Sequence, residues 1–196
     1  MLGWLAGSTL IRTLAMLTVV GTLTSMDVAV QRDVQAWRRP QLEGVMRVAS
    51  DAASPRNLFA LMVVVAAFGG PAGPALVRSA LVVLVPTNLA VEGLKRATNR
   101  TRPDGSHDRN NASFPSSHTA NAIAVAMVVW RRWPRAGWLV WPLAALIAGS
   151  RLYLNRHFLS DVLVGAMIGV ACSVFALRWA RGPGLRWVES GRYRSR

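Results

Sequence analysis

The chain has 196 residues, 52% of them hydrophobic, with a mean hydropathy of +0.29 and a formal net charge of +14. This length suits a single domain, taken as residues 1–196, and the hydropathy speaks against a soluble protein and for the bilayer. One cysteine, Cys172, excludes an intrachain disulfide framework and any cysteine-cluster metal site.

A helix crosses a bilayer with about 17–25 mainly apolar residues, at roughly 1.5 Å of rise each. Residues 10–30 form the first predicted span. Arg12 lies inside it and no small-residue cleavage site follows, so it reads as a span rather than a signal peptide. Residues 27–55 alternate charges of both signs with Val, Trp, Leu and Met, and Pro40 divides them. They read as two short amphipathic helices at the interface, with Trp37 at headgroup level; a solvated loop is the alternative. The second span covers 56–70 and ends in the Gly/Pro turn 69–74. The third covers 75–94, with Pro86 as a tolerated kink. Residues 95–116 are polar and leave the membrane. The fourth span, 117–130, stops at a basic, proline-broken turn, 131–135. The fifth covers 138–149 and the sixth 159–179.

The fold class is therefore all-α, a bundle of six transmembrane helices with interfacial helices after the first. Six spans place both termini on one side. The basic turn at 131–135 and the tail from Arg178, with six arginines against Glu189, share that side. The positive-inside rule makes it cytoplasmic. Arginines that bracket apolar runs, without a nucleic-acid-binding motif, argue against nucleic acid as a partner. The outer side then carries Lys95, Arg96, Arg100, Arg102, Arg109, Arg151 and Arg156. Basic charge there runs against the rule and needs another reason.

Three outer-face segments supply one. Lys95 is the only lysine in the chain, and Arg102 follows it by seven residues. Seven helical steps of about 100° return to within roughly 20° of the start, so both cations share a face if the third helix continues that far. A phosphate suits both, with arginine as a planar fork and lysine as a point charge. The second segment, Pro115-Ser116-Ser117-His118, opens the fourth span. Helix N-termini favour anions, Ser116 and Ser117 add hydroxyl donors, and His118 is placed as a general acid. A serine N-cap with an incidental histidine is the plainer alternative. The third segment holds Ser150-Arg151, His157 and Asp161. His157 and Asp161 are four residues apart, so one helical turn brings them together. The carboxylate would fix one ring nitrogen and leave the other free to attack phosphorus. Asp161 is the only acid between Asp108 and Glu189, and acids inside apolar spans are costly and usually functional.

Together these segments resemble the type-2 phosphatidic acid phosphatase superfamily. Its signature is Lys-x6-Arg-Pro, then Pro-Ser-Gly-His, then Ser-Arg-x5-His-x3-Asp. Here it reads Lys95 to Arg102-Pro103, Pro115 to His118, and Ser150-Arg151 to His157 and Asp161. The one departure is Ser117, where the family has glycine; its backbone N–H still serves, and its Cβ narrows the pocket. The resemblance implies that His157 is the nucleophile, through a phosphohistidine. It implies that Asp161 orients His157, and that His118 protonates the leaving oxygen. Lys95, Arg102, Ser116, Ser117 and Arg151 are implied to hold the phosphoryl oxygens. No metal or other cofactor is expected; His107, with Asp104 and Asp108, reads as a solvated loop.

The expected activity is hydrolysis of a phosphomonoester or diphosphate of a lipid: a polyprenyl diphosphate, phosphatidate, phosphatidylglycerol phosphate or phosphorylated lipid A. A lipid phosphotransferase using the same histidine is the alternative within the class. An anion-binding or transport protein is the alternative outside it. The expected setting is a bacterial inner membrane, with cytoplasmic termini and the site facing outward. Oligomeric state is left open.

Overall fold

Seven α-helices account for most of the described residues, 22–107 and 112–179, in this computed structural model. Among the described residues there is no strand. Helix α1 is described over 22–36. Pro40 opens α2 (Pro40–Ala52) from its first turn, where a missing N–H costs nothing. Ser54 caps α3 (Pro55–Phe68) by accepting from the Asn57 amide at 3.3 Å. Gly70, at φ +58°, supplies the left-handed residue that turns the chain into α4 (Gly73–Thr98). Helix α4 runs 26 residues and carries Pro86 inside it. Helix α5 (Ser117–Arg132), α6 (Gly137–Tyr153) and α7 (Leu159–Trp179) complete the bundle.

Helix α5 is central and packs against α4, α6 and α7. Its composition explains this. Ala120, Ala122, Ala124 and Ala126 are all buried, and small residues let helix axes approach closely. One apolar cluster joins Leu58, Val83, Leu84, Ala124, Val128 and Ala176 from α3, α4, α5 and α7. A second joins Ala53, Ala122, Ala126, Ala144 and Ile147. Large apolar side chains also face outward, among them Phe59, Leu89, Leu139, Met167 and Phe175. A surface of that kind suits lipid rather than water.

By length and composition, Gly70–Thr98 and Leu159–Trp179 are each able to cross a membrane. The pair α2–α3, bent by 63°, would make a third crossing if taken as one broken span. Helices α5 and α6 have 16 and 17 residues, at or below the short end for a span. Among the described residues two or three candidate spans thus meet the length and composition test, and most of the first expected span lies outside those residues. The expectation for residues 27–55 changes. Residues 27–36 are not a separate interfacial helix but continue α1, and Asp27 is buried at 3% exposure. Only α2 matches the expected short helix, and Trp37 is exposed.

The seam between α5 and α7 positions the functional segments. Gly165 and Gly169 sit against the backbone of Ser116 and Ala120. The Ser116 amide donates to the Asp161 carbonyl at 3.0 Å, which joins the start of α5 to the start of α7. A Cβ on Gly165 would meet the Ser116 carbonyl oxygen at 2.5 Å. Gly165→Ala is therefore expected to cost about 1–3 kcal/mol by overpacking and to lower thermal stability in detergent. Gly93→Ala is the control: nothing lies within 4 Å of its Cβ, so stability should hold or rise. Equal melting temperatures for the two variants would refute the close-approach account.

Candidate active site

The turn from α6 to α7 builds the centre of the site. Arg151 stands in the last turn of α6 and is buried. Asn155, at φ +59°, reverses the chain, and the amides of Arg156 and His157 donate back to the Arg151 carbonyl at 3.0 and 3.3 Å. His157 is thereby turned inward to 1% exposure. Its Nδ1 lies 3.6 Å from Asp161 Oδ2. The expected pairing is present, but its cause differs from the expected helical turn. His157 precedes α7, which begins at Leu159. Asp161 instead reaches back from the first turn of α7, accepting from the Phe158 amide at 2.8 Å in the manner of a capping carboxylate.

Burial is the largest influence on the His157 imidazole and brings its pKa down to about 4. Asp161 opposes this, while Arg151 and Arg102 add to it. The ring is thus neutral at pH 7. With Nδ1 toward the carboxylate, the tautomer favoured carries its proton on Nδ1 and leaves the far nitrogen, Nε2, with a free lone pair.

The second segment divides its two serines. Ser116 is the N-cap of α5: its fully buried hydroxyl accepts from the Thr119 amide at 3.4 Å and from Thr119 Oγ1 at 3.1 Å. The plainer capping reading is therefore present in the structure for Ser116. Ser117 and His118 face a cavity instead. Lys95 is buried and donates from Nζ to Ser117 Oγ at 3.3 Å, with Glu92 at 3.4 Å on its other side.

The first segment corrects the helical argument. Helix α4 stops at Thr98, because Asn99 adopts the left-handed conformation (φ 45°) and its amide closes onto the Lys95 carbonyl. Arg102 is consequently on a loop, not on the face of Lys95. Lys95, Arg102, Arg151 and His157 nonetheless all lie close enough to act electrostatically on His118. Convergence comes from the loop's return, not from helical periodicity.

One cavity of about 530 Å³ collects Arg102, Ser117, His118, Arg151 and His157. That size holds a small-molecule group, and its walls are polar and cationic. Ser116, Lys95 and Asp161 do not line it. They support residues that do. His118 Nδ1, His157 Nδ1 and Arg151 Nε are buried without a hydrogen-bond partner among the described residues. Arg38, Arg47 and Arg156 add positive charge to the wall; Arg38 and Arg47 share Glu43, and Arg156 pairs with Asp104 at 2.8 Å. Such a cavity can attract, hold and polarise an anion.

Asp104 and His107 are occupied elsewhere. Burial alone would raise the Asp104 pKa, but hydrogen bonds from Ser106 and Arg156 bring it to about 2. His107 Nδ1 contacts Thr101 Oγ1 at 3.2 Å. Arg109 and Asp108 lie outside the described residues. Sequence reasoning missed Arg100, Ser113, Asp27 and Ser50. Ser113 Oγ donates to Asp161 Oδ2, and Arg151 Nη1 donates to Ser50 Oγ. Asp27 carried a usable signal: it is an acid within an apolar run, the same argument that singled out Asp161.

A sequence model of the PAP2 superfamily matches residues 76–183, a stretch that contains all three segments. The lipid A 4′-phosphatase of Porphyromonas gingivalis is 30% identical over 77 residues, 38% of this chain and 33% of that protein. The chain thus spans about a third of that relative's length. Among solved structures, LpxE of Aquifex aeolicus is similar with a TM-score of 0.67 and 26% identity, covering 78% of this chain and 94% of the other. A transmembrane PAP2-type phosphatidylglycerolphosphate phosphatase of Bacillus subtilis has the same fold, with a TM-score of 0.68 at 23% identity over 96% of this chain and 98% of the other. With more than half of its residues matched by the family's own pattern, the chain belongs to the PAP2 superfamily.

Proposed function

We propose that this protein is a membrane-bound lipid phosphatase that works without a metal, through a phosphohistidine on His157. One observation carries the reading. A buried, neutral His157, backed by the Asp161 carboxylate, shares a cavity with His118 and with Arg102 and Arg151. In the first step Nε2 of His157 attacks phosphorus. The phosphorus–nitrogen bond forms, the bond to the lipid oxygen breaks, and His118, protonated once the bound phosphoryl anion offsets the neighbouring Arg102, Arg151 and Lys95, gives that oxygen its proton. In the second step water attacks the phosphohistidine. His118 takes the proton from water, the phosphorus–nitrogen bond breaks to return His157 with a free Nε2, and phosphate leaves. Arg102, Arg151 and the Ser117 hydroxyl and amide would neutralise charge on the equatorial oxygens, with Lys95 acting through the Ser117 hydroxyl to which it donates. Ser116 would act by fixing the start of α5.

The substrate class is a lipid phosphate or diphosphate, in keeping with relatives named as lipid A and phosphatidylglycerolphosphate phosphatases. Residues 1–196 would form one membrane-embedded unit. The setting is a bacterial inner membrane, with cytoplasmic termini and the cavity facing outward. A cysteine placed at Asn110 should react with a membrane-impermeant thiol reagent in intact cells without an outer-membrane barrier; reaction only after lysis would reverse the orientation.

The test is phosphate release in detergent and EDTA from a panel of lipid phosphates. Release without an added acceptor lipid is expected, and ranking the panel gives the substrate. Release that requires a metal would remove the metal-independent route. Transfer to an added lipid, without release in its absence, would favour the phosphotransferase. The pH profile follows from His157. Below its pKa the ring is protonated and cannot attack, so the acid limb of kcat/KM should fall near pH 4 rather than near 6.5.

A further inference from the structure

Asp161 is held by groups that belong to none of the three signature segments' named positions. Arg100, directly after the left-handed Asn99, lays its guanidinium over the Phe158 ring at 4.3 Å. Nη1 donates to Asp161 Oδ1 and to Ser160 Oγ, each at 2.7 Å. Nη2 donates to Asp27 Oδ2 at 2.7 Å. Asp27, from α1, also accepts from the Ser160 amide at 2.8 Å and from Ser160 Oγ at 2.5 Å. One guanidinium is thus shared between two buried carboxylates. It meets Asp161 at Oδ1, while His157 approaches Oδ2.

We propose that Arg100 and Asp27 are positioning residues that fix the Asp161 carboxylate and set how strongly it holds the Nδ1 proton of His157. The inference rests on the reading of His157 as nucleophile. Its physical content is charge balance. Asp27 and Asp161 together carry two negative charges, and Arg100 returns one positive charge between them. The balance decides how much negative potential reaches the imidazole through Asp161. It also makes α1, which lies outside the matched 76–183 stretch, a part of the active site.

A plain brace between α1 and α7 would use the same bonds, so the test needs a readout that bracing does not move. The acid limb of kcat/KM is that readout. Other groups act on His157 from the elements around it: Arg151 from α6, Arg102 from the α4–α5 loop and His118 from α5. Lys95 of α4 acts on His118, and Asp51 of α2 acts on Arg151. All are unchanged in the variants, so a shift reports the Asp27–Arg100–Asp161 cluster alone.

Arg100→Gln removes the positive charge, so His157 should hold its proton more tightly and the limb should move up by about one pH unit. Asp27→Asn removes a negative charge while keeping an amide in place, so the limb should move down. The double variant restores the balance and should return the limb toward the wild type. Opposite shifts that cancel in the double variant support the proposal. Unshifted limbs accompanied by lower melting temperatures would overturn it and leave a brace. If Arg100→Gln does not fold, Asp27→Asn decides alone: a downward shift supports, an unmoved limb overturns. A fully active His157→Ala protein would remove the underlying reading instead, which separates the two failures.

Discussion

His157→Gln is expected to lower kcat for phosphate release by at least about 10⁴-fold, the scale on which removal of a covalent nucleophile acts. Glutamine is polar, of similar bulk, and unable to form the intermediate. The cavity's cations stay in place, so the variant should still bind inorganic phosphate. Rapid quenching of the wild type during turnover should trap phosphate on the protein in a form that acid releases, as expected for a phosphorus–nitrogen bond, and the variant should trap none. A residual kcat within tenfold of the wild type would remove His157 from the chemistry. The same substitution has an opposite consequence for stability in acid. Wild-type His157 is held neutral in the fold, with its pKa brought from 6.5 to about 4 by burial. The folded state therefore binds this proton more weakly than the unfolded chain. Its contribution is complete above about pH 6.5 and is lost as the pH falls toward 4. Glutamine carries no such dependence, so between pH 6.5 and 4 the variant should lose less stability than the wild type.

The helices were largely legible in the sequence because their cause is local. Leu159–Trp179 has the expected bounds, and α3 and α4 begin within two residues of the expected spans. The boundaries come from proline, glycine and basic turns that act where they stand. Apolar pattern is less decisive for the number of crossings, because Ser117–Arg132 and Gly137–Tyr153 lie at or below the short end for a span. The gathering of candidate residues was legible, but its geometry was not. His157, His118, Arg102, Arg151 and Ser117 do share a cavity. Lys95 and Arg102 approach each other across the loop that follows Asn99, whereas the periodicity argument applied only if the helix continued that far. Asp161 meets His157 by reaching back across the helix start. Asp27 was hidden because the charges that follow it made the segment look interfacial, while its partner Arg100 is 73 positions away. Local pattern carries no information about a contact of that kind.

Asp161→Asn should be nearly as damaging as loss of the nucleophile, and through two separable effects. The carboxylate now accepts on both oxygens: Arg100 on Oδ1, and Ser113 and the Phe158 amide on Oδ2. An asparagine has one acceptor and one donor end. In either orientation its NH₂ faces an N–H, from Arg100 in one case and Phe158 in the other. Losing the charge opposite Arg100 adds to this, for a stability cost of about 3 kcal/mol. The second effect is on the histidine. With an NH₂ toward Nδ1, the tautomer that accepts there is favoured, and the proton moves to Nε2, the atom proposed to attack. A tautomer error of this kind lowers kcat by about 10⁴-fold in the serine-protease triad, and a similar loss is expected here. The melting temperature and the kcat of the folded fraction should both fall. A normal melting temperature with normal kcat would mean that the 3.6 Å contact between His157 and Asp161 does not tighten in turnover. A lower melting temperature with normal kcat would confine Asp161 to holding the start of α7. The phosphatase reading requires the fall in kcat, because it needs this carboxylate to keep Nε2 free; the fall in melting temperature reports the separate hold on the start of α7.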